Sequence, residues 1–496
     1  MEAPRPTRRP LVLACLMSAM FMVAIEATVV ATAMPQIVGK LGGFASYSWV
    51  FSAFLLAQAA TTVMFGKLSD LYGRKPVMIA GLTVFLIGSI LAGFSWSMDS
   101  LIAFRLVQGL GAGAIQPVSM TIIGDIYTVE ERARVQGYMG SVWGVSAIVG
   151  PLAGALIVQT LPWAWVFWIN VPLGVAAIGG LLMVLHENIE PHGQNIDYLG
   201  AALFTVAVTA LLLAIMPPAG AGVLTHPALF AAVFLVAAPL FLWREHVASD
   251  PMVAIDLWAE PVVAAANGAT LAAGVALIGL TAWLPVFIQV VLGRSPVVSG
   301  LTLTAMAFAW PLAANISTRL LFKRLGMRGT LRVGACVVAL GAAAFPFLGT
   351  APGAAWLAGI GSFVMGFGMG MITMPSIMLI QTSVDWSKRG AATASNVFSR
   401  LLGNTLGAAV MGAIINLGLK LSGAAISPEK VRALLSQAPG ALNSVDPVLK
   451  AALGTSLHWV FLAMAAVALL TLAAAFAMPH RAHLEMARGP APRPAE

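Results

Sequence analysis

The chain has 496 residues, of which 59% are hydrophobic and only 9% charged, with a formal net charge of +8 and a mean hydropathy of +0.91. Soluble domains carry about 45–50% apolar residues, so this composition excludes a water-soluble enzyme and defines a polytopic membrane protein. Apolar runs of about 20 residues recur along the chain and suit helical crossing of a ~30 Å hydrocarbon core. Their continuity excludes the alternating pattern of a membrane barrel, and the expected fold class is all-α integral membrane.

In chain order, apolar length and polar punctuation predict helices over 11–34, 46–66, 76–96, 100–124, 136–159, 163–185, 197–216 and 227–243. Six more are predicted over 262–292, 298–318, 330–349, 354–380, 391–418 and 456–478, for fourteen spans. The first follows Arg5, Arg8 and Arg9 and contains ATA at 31–33, which superficially resembles a secretory signal. The run is longer than a signal core and more spans follow, so no cleavage is expected. Cys15 and Cys336 lie inside apolar spans and read as small core residues rather than a disulfide framework.

Fourteen spans place 19 of the 27 Lys and Arg residues on one side, and only Lys40, Arg294, Lys420, Lys430, Arg432 and Lys450 on the other. Arg105 and Arg400 remain within spans. The positive-inside rule then puts both termini in the cytoplasm of a bacterial inner, or plasma, membrane. The surplus of positive charge reflects anchoring at the inner face of the lipid bilayer, and no nucleic-acid partner is expected.

The chain also repeats itself. QGLGAGAI at 108–115 is echoed by MGFGMGMI at 365–372, so that Gly109, Gly111 and Gly113 match Gly366, Gly368 and Gly370. GPLAGA at 150–155 corresponds to GNTLGA at 403–408, and the loop after the second span has a degraded partner in RLLFKRLGMR at 319–328. Two six-helix halves are expected, at 1–185 and 246–480, with a two-helix insertion at 186–245 that opens on the acidic loop HENIEPHGQNID, and a cytoplasmic tail at 481–496. Many transporters are built from such repeats.

Charge is concentrated in GKLSDLYGRKPVM at 66–78. A short loop needs charge to stay in water, but the spacing is more specific than that. Asp70 and Arg74 stand about one helical turn apart beside Gly73, where the missing side chain allows a neighbouring helix to approach and pair. Glu26 is the only acid placed deep in a span, and an ionisable group there is costly enough to suggest function. At ~1.5 Å per residue Glu26 lies about 22 Å from the inner surface, and Arg105 about 7 Å from the outer start of its own span. Those depths coincide in a ~30 Å core. The pair reads either as a structural salt bridge or as a titrating site, since burial and a movable guanidinium push a carboxyl in opposite directions.

The loop at 66–78 resembles the signature of the major facilitator superfamily between its second and third helices, with Gly66, Leu68, Asp70, Gly73, Arg74 and Lys75 in the marked positions. FRLVQGLGAG, with Arg105, Gln108 and Gly109, is similar to the second motif of that family, and GPLAGA, with Gly150, Pro151 and Gly154, to its antiporter motif. IEATVVATAMPQI, WAWVFWINVPLG at 163–174 and RGAATASNVFSRLLG at 389–403 resemble the fourteen-span drug:proton antiporter branch. Relatives in that branch commonly have Asp where Glu26 stands and Arg where Ala164 stands.

The resemblance implies two pseudo-symmetric six-helix bundles plus two additional central helices. It also implies alternating access, Glu26 as proton carrier tuned by Arg105 and Gln108, and a conformational gate formed by Gly66, Asp70, Gly73, Arg74 and Lys75. Gly150, Pro151 and Gly154 would form an antiporter hinge that seals the interface against proton leak. Trp49, Phe54, Trp143, Trp283, Phe287 and Arg400 are candidate residues of a substrate cavity, although aromatic side chains in spans more often pack or anchor. The expected partners are protons and lipophilic neutral or monocationic small molecules, carried by a functional monomer. Export of an endogenous metabolite, siderophore or lipid remains the alternative, with a non-transporting scaffold or sensor behind it. No phosphate-binding loop, dinucleotide fingerprint or metal-ligand spacing is present, so neither enzymatic activity nor a cofactor is expected.

Overall fold

The computed structural model describes residues 8–187, 197–216, 226–248, 255–349, 353–384, 389–422 and 447–479. Most of the acidic loop and the whole C-terminal tail lie outside the described residues. The first half comprises α1 (Arg9–Leu41), α2 (Tyr47–Tyr72), α3 (Arg74–Gly93), α4 (Met98–Ile126), α5 (Val129–Thr160), the single-turn α6 (Trp165–Trp168) and α7 (Asn170–Val184). Then come α8 (Tyr198–Ile215) and α9 (Pro227–Val247). The second half comprises α10 (Pro261–Val286), α11 (Pro296–Ile316), α12 (Phe322–Ala343), α13 (Ala354–Ser383), α14 (Arg389–Leu421) and α15 (Pro447–Ala477).

Among the described residues, twelve helical stretches are long and apolar enough to cross a membrane, and the protein is a multi-pass membrane protein of the all-α class. One of the twelve, Pro296–Phe347, is 52 residues long and holds both α11 and α12. Local chemistry sets several helix ends. Ser97 and Ser100 form a reciprocal cap at the start of α4, as do Thr128 and Glu131 for α5, which satisfies N–H groups that have no helical partner. Gly73 (φ 93°, ψ 151°) parts α2 from α3, and Gly326 (φ 68°, ψ 173°) breaks the corresponding connection in the second half. Only glycine takes such angles without strain. The break at Gly73 puts Asp70 and Arg74 on different helices, so they are not stacked a turn apart on one helix as their spacing suggests.

Helix pairing repeats between the halves: α1 with α5 and α10 with α14, α2 with α4 and α11 with α13, α3 with α4 and α12 with α13. The matched glycines explain why. A Cβ on Gly109 would collide with the Phe54 carbonyl of α2, and one on Gly366 with the Met306 carbonyl of α11. A Cβ on Gly111 would meet Phe85 of α3, and one on Gly368 would meet Val338 of α12. Between apolar helices in lipid, packing rather than water exclusion drives association, and small residues let backbones touch.

Contacts between the halves follow the same symmetry, α2 against α14 and α5 against α11, with α1 meeting α10. Hydrogen bonds between them among the described residues include Tyr47 Oη to the Ala282 carbonyl (2.7 Å), Gln289 Nε2 to the Thr32 carbonyl (3.1 Å) and Asn416 Nδ2 to the Ala45 carbonyl (3.0 Å). These lie towards the face opposite the α2–α3 turn. Thr304 donates to the Ile148 carbonyl nearer mid-depth. Towards the α2–α3 side the contact loosens: a Cβ on Gly300 would lie 2.7 Å from the Pro151 carbonyl, whereas one on Gly144 has 3.3 Å to the Pro311 ring.

The inserted pair is central in sequence but peripheral in space. α8 packs on α9 and covers the seam between α2 and α14, while α9 buries little beyond Ala237 and Glu245. Asp197 caps α8 and accepts a bond from Arg244 Nε at 2.9 Å, which fastens the two helices together. Cys15 is half-buried, but Cys336 is exposed on the outside of α12, so only the first is the packing residue expected from an apolar span.

Candidate functional site

α1 brings Glu26 to the centre of the first half, where its carboxylate is fully enclosed. Oε1 accepts a bond from Arg105 Nη1 of α4 at 2.5 Å, and Oε2 accepts from Asn170 Nδ2, at the start of α7, at 2.5 Å. The same Arg105 nitrogen donates to Gln108 Oε1 at 2.6 Å, and Arg105 Nε donates to the Val50 carbonyl of α2 at 3.2 Å. Gln108 Nε2 and Asn170 Nδ2 each reach Ser89 Oγ of α3 at 3.2 Å, and Ser89 donates to the Phe167 carbonyl at 2.9 Å. The guanidinium also lies 4.1 Å above the Phe54 ring.

The spacing of Arg105 and Gln108 puts both on one face of α4, as residues three apart must be. Gly88 allows that face to approach, because a Cβ there would strike the Gln108 backbone. Glu26, Arg105, Gln108, Asn170 and Ser89 are all buried. A buried ion pair offsets desolvation only when its remaining lone pairs and protons are also satisfied, and here both carboxylate oxygens are. If Glu26 is neutral, Arg105 still has the Gln108 and Val50 oxygens as acceptors. Both oxygens of Glu26 face N–H donors, so a protonated acid gains an acceptor only when its shell rearranges, as by a turn of the Asn170 amide that presents its unpartnered Oδ1.

The sequence brought Glu26, Arg105 and Gln108 together but missed Asn170 and Ser89. Asn170 was visible as a lone amide in WINVPLG, where an apolar run should have no use for one; Ser89, in an ordinary GSI step, carried no signal.

At the α2–α3 turn, the Arg74 and Lys75 backbone N–H groups donate to Glu187 Oε1 and Oε2 at 2.7 and 2.8 Å. A carboxylate thus sits on the first N–H groups of α3, where a helix N-terminus favours negative charge. Arg74 Nε pairs with Asp125 Oδ2 of α4 at 3.0 Å, and Lys75 Nζ donates to the Leu182 and Leu185 carbonyls at the end of α7. The side chains of Asp70 and Lys67 lie outside the described residues. Gly66 has nothing within 4 Å of an added Cβ, so close packing does not explain it in this conformation. Glu187 and Asp125 were not expected; Glu187 stands inside the quoted acidic loop, 113 residues from Arg74.

Gly150 and Gly154 lie against α1, where a Cβ would meet Thr28 and the carbonyls of Ile25 and Val29, on either side of the turn that carries Glu26. The Pro151 carbonyl faces Gly300 of α11 across the interface. The expected hinge therefore touches both the acid-bearing helix and the other half.

The aromatic candidates fall elsewhere. Trp283 stacks on Tyr47 with centroids 4.5 Å apart, in the sealed region between the halves. Phe287 packs on Phe461, and Phe54 lies under Arg105. All three are buried, so they line no cavity in this conformation. Trp49 rests on the small cluster around Leu56 and Phe204, and Trp143 on the core of the first half. Arg400 is half-buried in α14.

Two pseudo-symmetric helical bundles, sealed at one face and holding a buried acid–base pair at mid-depth, define a membrane transporter rather than an enzyme. Residues 16–408 match the model of the Major Facilitator Superfamily, and the chain belongs to that family. It is 32% identical to Multidrug resistance protein 3 of Bacillus subtilis (strain 168) over 402 residues, covering 80% of this chain and 78% of that one. Multidrug transporter protein MdtP of the same organism is 32% identical over 417 residues, covering 83% and 76%. Among solved structures, a bacterial homolog of the human lysosomal transporter Spinster, inward-facing and occupied, superposes with a TM-score of 0.65 over 99% of this chain and 100% of that one, at 17% identity. At that identity the likeness concerns the fold.

Proposed function

We propose that the protein is a proton-driven exporter of lipophilic small molecules that works by alternating access, with Glu26 as the proton carrier. The observation that carries this reading is the enclosed network in which Glu26 bonds both Arg105 and Asn170, while Arg105 keeps other acceptors for the moment the acid is protonated. Protonation from outside would weaken the hold of Arg105 on α1; inward opening, proton loss and cargo loading would follow. The multidrug relatives support drug-like cargo. An imported proton gains ~2.3 kcal/mol per 100 mV, which sustains roughly a fifty-fold gradient of neutral cargo at one-to-one coupling, since tenfold is about 1.4 kcal/mol.

In this reading the chain crosses the membrane fourteen times as a monomer in a bacterial inner membrane, with both termini cytoplasmic. Support comes from the 52-residue stretch Pro296–Phe347, which is too long for one span and is broken at Gly326, and from α2, which has 26 residues. The surplus of Lys and Arg on the α2–α3 side supports the orientation. The halves are bonded towards the other face, which corresponds to an inward-open state. Arg74, Lys75, Asp125 and Glu187 tie α3, α4 and α7 together within the first half here; closure of the inner gate would require Asp70 to meet the second half.

The test is a proton-flux measurement in energised vesicles. Adding cargo should collapse part of the imposed pH gradient, and Glu26→Gln should abolish that signal. Cargo-driven proton flux that survives the substitution refutes Glu26 as carrier. Susceptibility profiling of a deletion strain separates drug export from metabolite export.

A further inference from the structure

α14 carries a second deep guanidinium that the proton site does not use. Arg400 stands 11 residues beyond Arg389, the start of α14, or about 16 Å into the bundle. It is half-buried, and among the described residues no hydrogen bond or ion pair reaches it. Thr393, Val397, Arg400 and Asn404 recur at helical spacing along one face of α14, and all four are half-buried.

That face does not point to lipid. Gln381 of α13 donates to Thr393 on one side, and Gly274 of α10 lies against the Arg400 carbonyl on the other. The outer side of α14 is covered separately, by α8 over Phe398 and Leu402. The open face therefore looks inward between α10 and α13. Asn404 Oδ1, one turn beyond Arg400, is buried with no hydrogen-bond partner.

Building on the exporter reading, we propose that Arg400 receives an oxyanion of the cargo, with Asn404 Oδ1 accepting from an N–H or O–H group beside it, so that lipophilic molecules bearing a carboxylate or similar group are preferred over cations. A guanidinium offers five N–H donors in a planar fork that fits a carboxylate in two-point fashion, and a charge left unpartnered at this depth marks a ligand path. Among the described residues, no free acid stands at this level to attract a cation. Glu26, the acid of the membrane interior, is fully enclosed and engaged on both oxygens. The expected cargo thus shifts from neutral or monocationic towards anionic.

The test uses full-length protein in proteoliposomes under an imposed pH gradient, with fluorescein as anion, Nile red as neutral probe and ethidium as cation. Wild type should carry fluorescein in preference to ethidium. Arg400→Gln should lower the ratio of fluorescein to Nile red transport about tenfold, and Arg400→Lys by less, because the charge remains while the fork is lost. An unchanged ratio in Arg400→Gln, or preference for ethidium, overturns the proposal. Should Arg400→Gln fail to fold, the wild type decides alone: fluorescein and not ethidium should raise its melting temperature, and the reverse overturns the proposal. Nile red transport that ignores the pH gradient removes the exporter reading instead, whatever the ratio shows.

Discussion

The two halves share a shell and differ in chemistry. In the first, the helices meet through charge: Glu26 and Arg105, closed in by Asn170, Gln108 and Ser89. In the second, α10, the counterpart of α1, meets α14, the counterpart of α5, through neutral groups. Asn267 Nδ2 donates to Ser395 Oγ at 2.8 Å, and Asn396 donates to Asn267 and to Thr270 at 3.1 Å. Arg400 is left over. Duplicated glycines maintain duplicated backbone contacts, whereas the polar residues between those backbones are free to diverge. In this reading one half carries the proton and the other meets the cargo.

The comparison breaks first at the shared shell. Gly111→Val and Gly368→Val should both abolish folded protein, since each side chain would displace the backbone of α3 or α12; detergent size-exclusion profiles that remain monodisperse would refute the equivalence. Next comes Arg105→Ala, which leaves a buried carboxylate without its cation and should destabilise the fold by about 3–5 kcal/mol, read as a lower melting temperature. Adding Glu26→Gln should recover a large part of that loss.

A smaller effect sharpens the contrast between the networks. Asn267→Ala breaks only neutral bonds and should cost about 1–3 kcal/mol while proton coupling persists, whereas Asn170→Ala, of similar size, should also slow cargo-driven proton flux. Equal coupling in the two variants would remove the functional distinction. The smallest change is Glu187→Gln at the start of α3, expected to cost roughly 0.3–1 kcal/mol, with the loss diminishing in high salt.

Much of this was legible beforehand. Apolar run length located the helices because lipid offers no partner for an exposed backbone, so each span must be continuous. Depth counting matched Glu26 to Arg105 because helices rise at a constant rate. The repeat of Gly109, Gly111 and Gly113 in Gly366, Gly368 and Gly370 was readable because backbone contact leaves no choice of residue. Asn170 and Glu187 were not readable as partners, because their meaning depends on α7 lying beside α1 and α3. The burial of Trp283 and Phe287 was equally hidden, since an aromatic side chain suits a cavity wall and a sealed interface alike.

By itself, then, the amino-acid order determined the membrane class, the helices, the two-fold repetition and the depth of the ionisable groups, all of which follow from local periodicity and the intolerance of hydrocarbon for unpaired polar atoms. Tertiary structure alone decided which groups meet sideways: that Glu26 is held by both Arg105 and Asn170, that α8 covers the α2–α14 seam, and that Arg400 faces inward with no partner among the described residues. Lateral neighbours are set by how helices separated by scores of residues pack together, and no spacing along the chain encodes that.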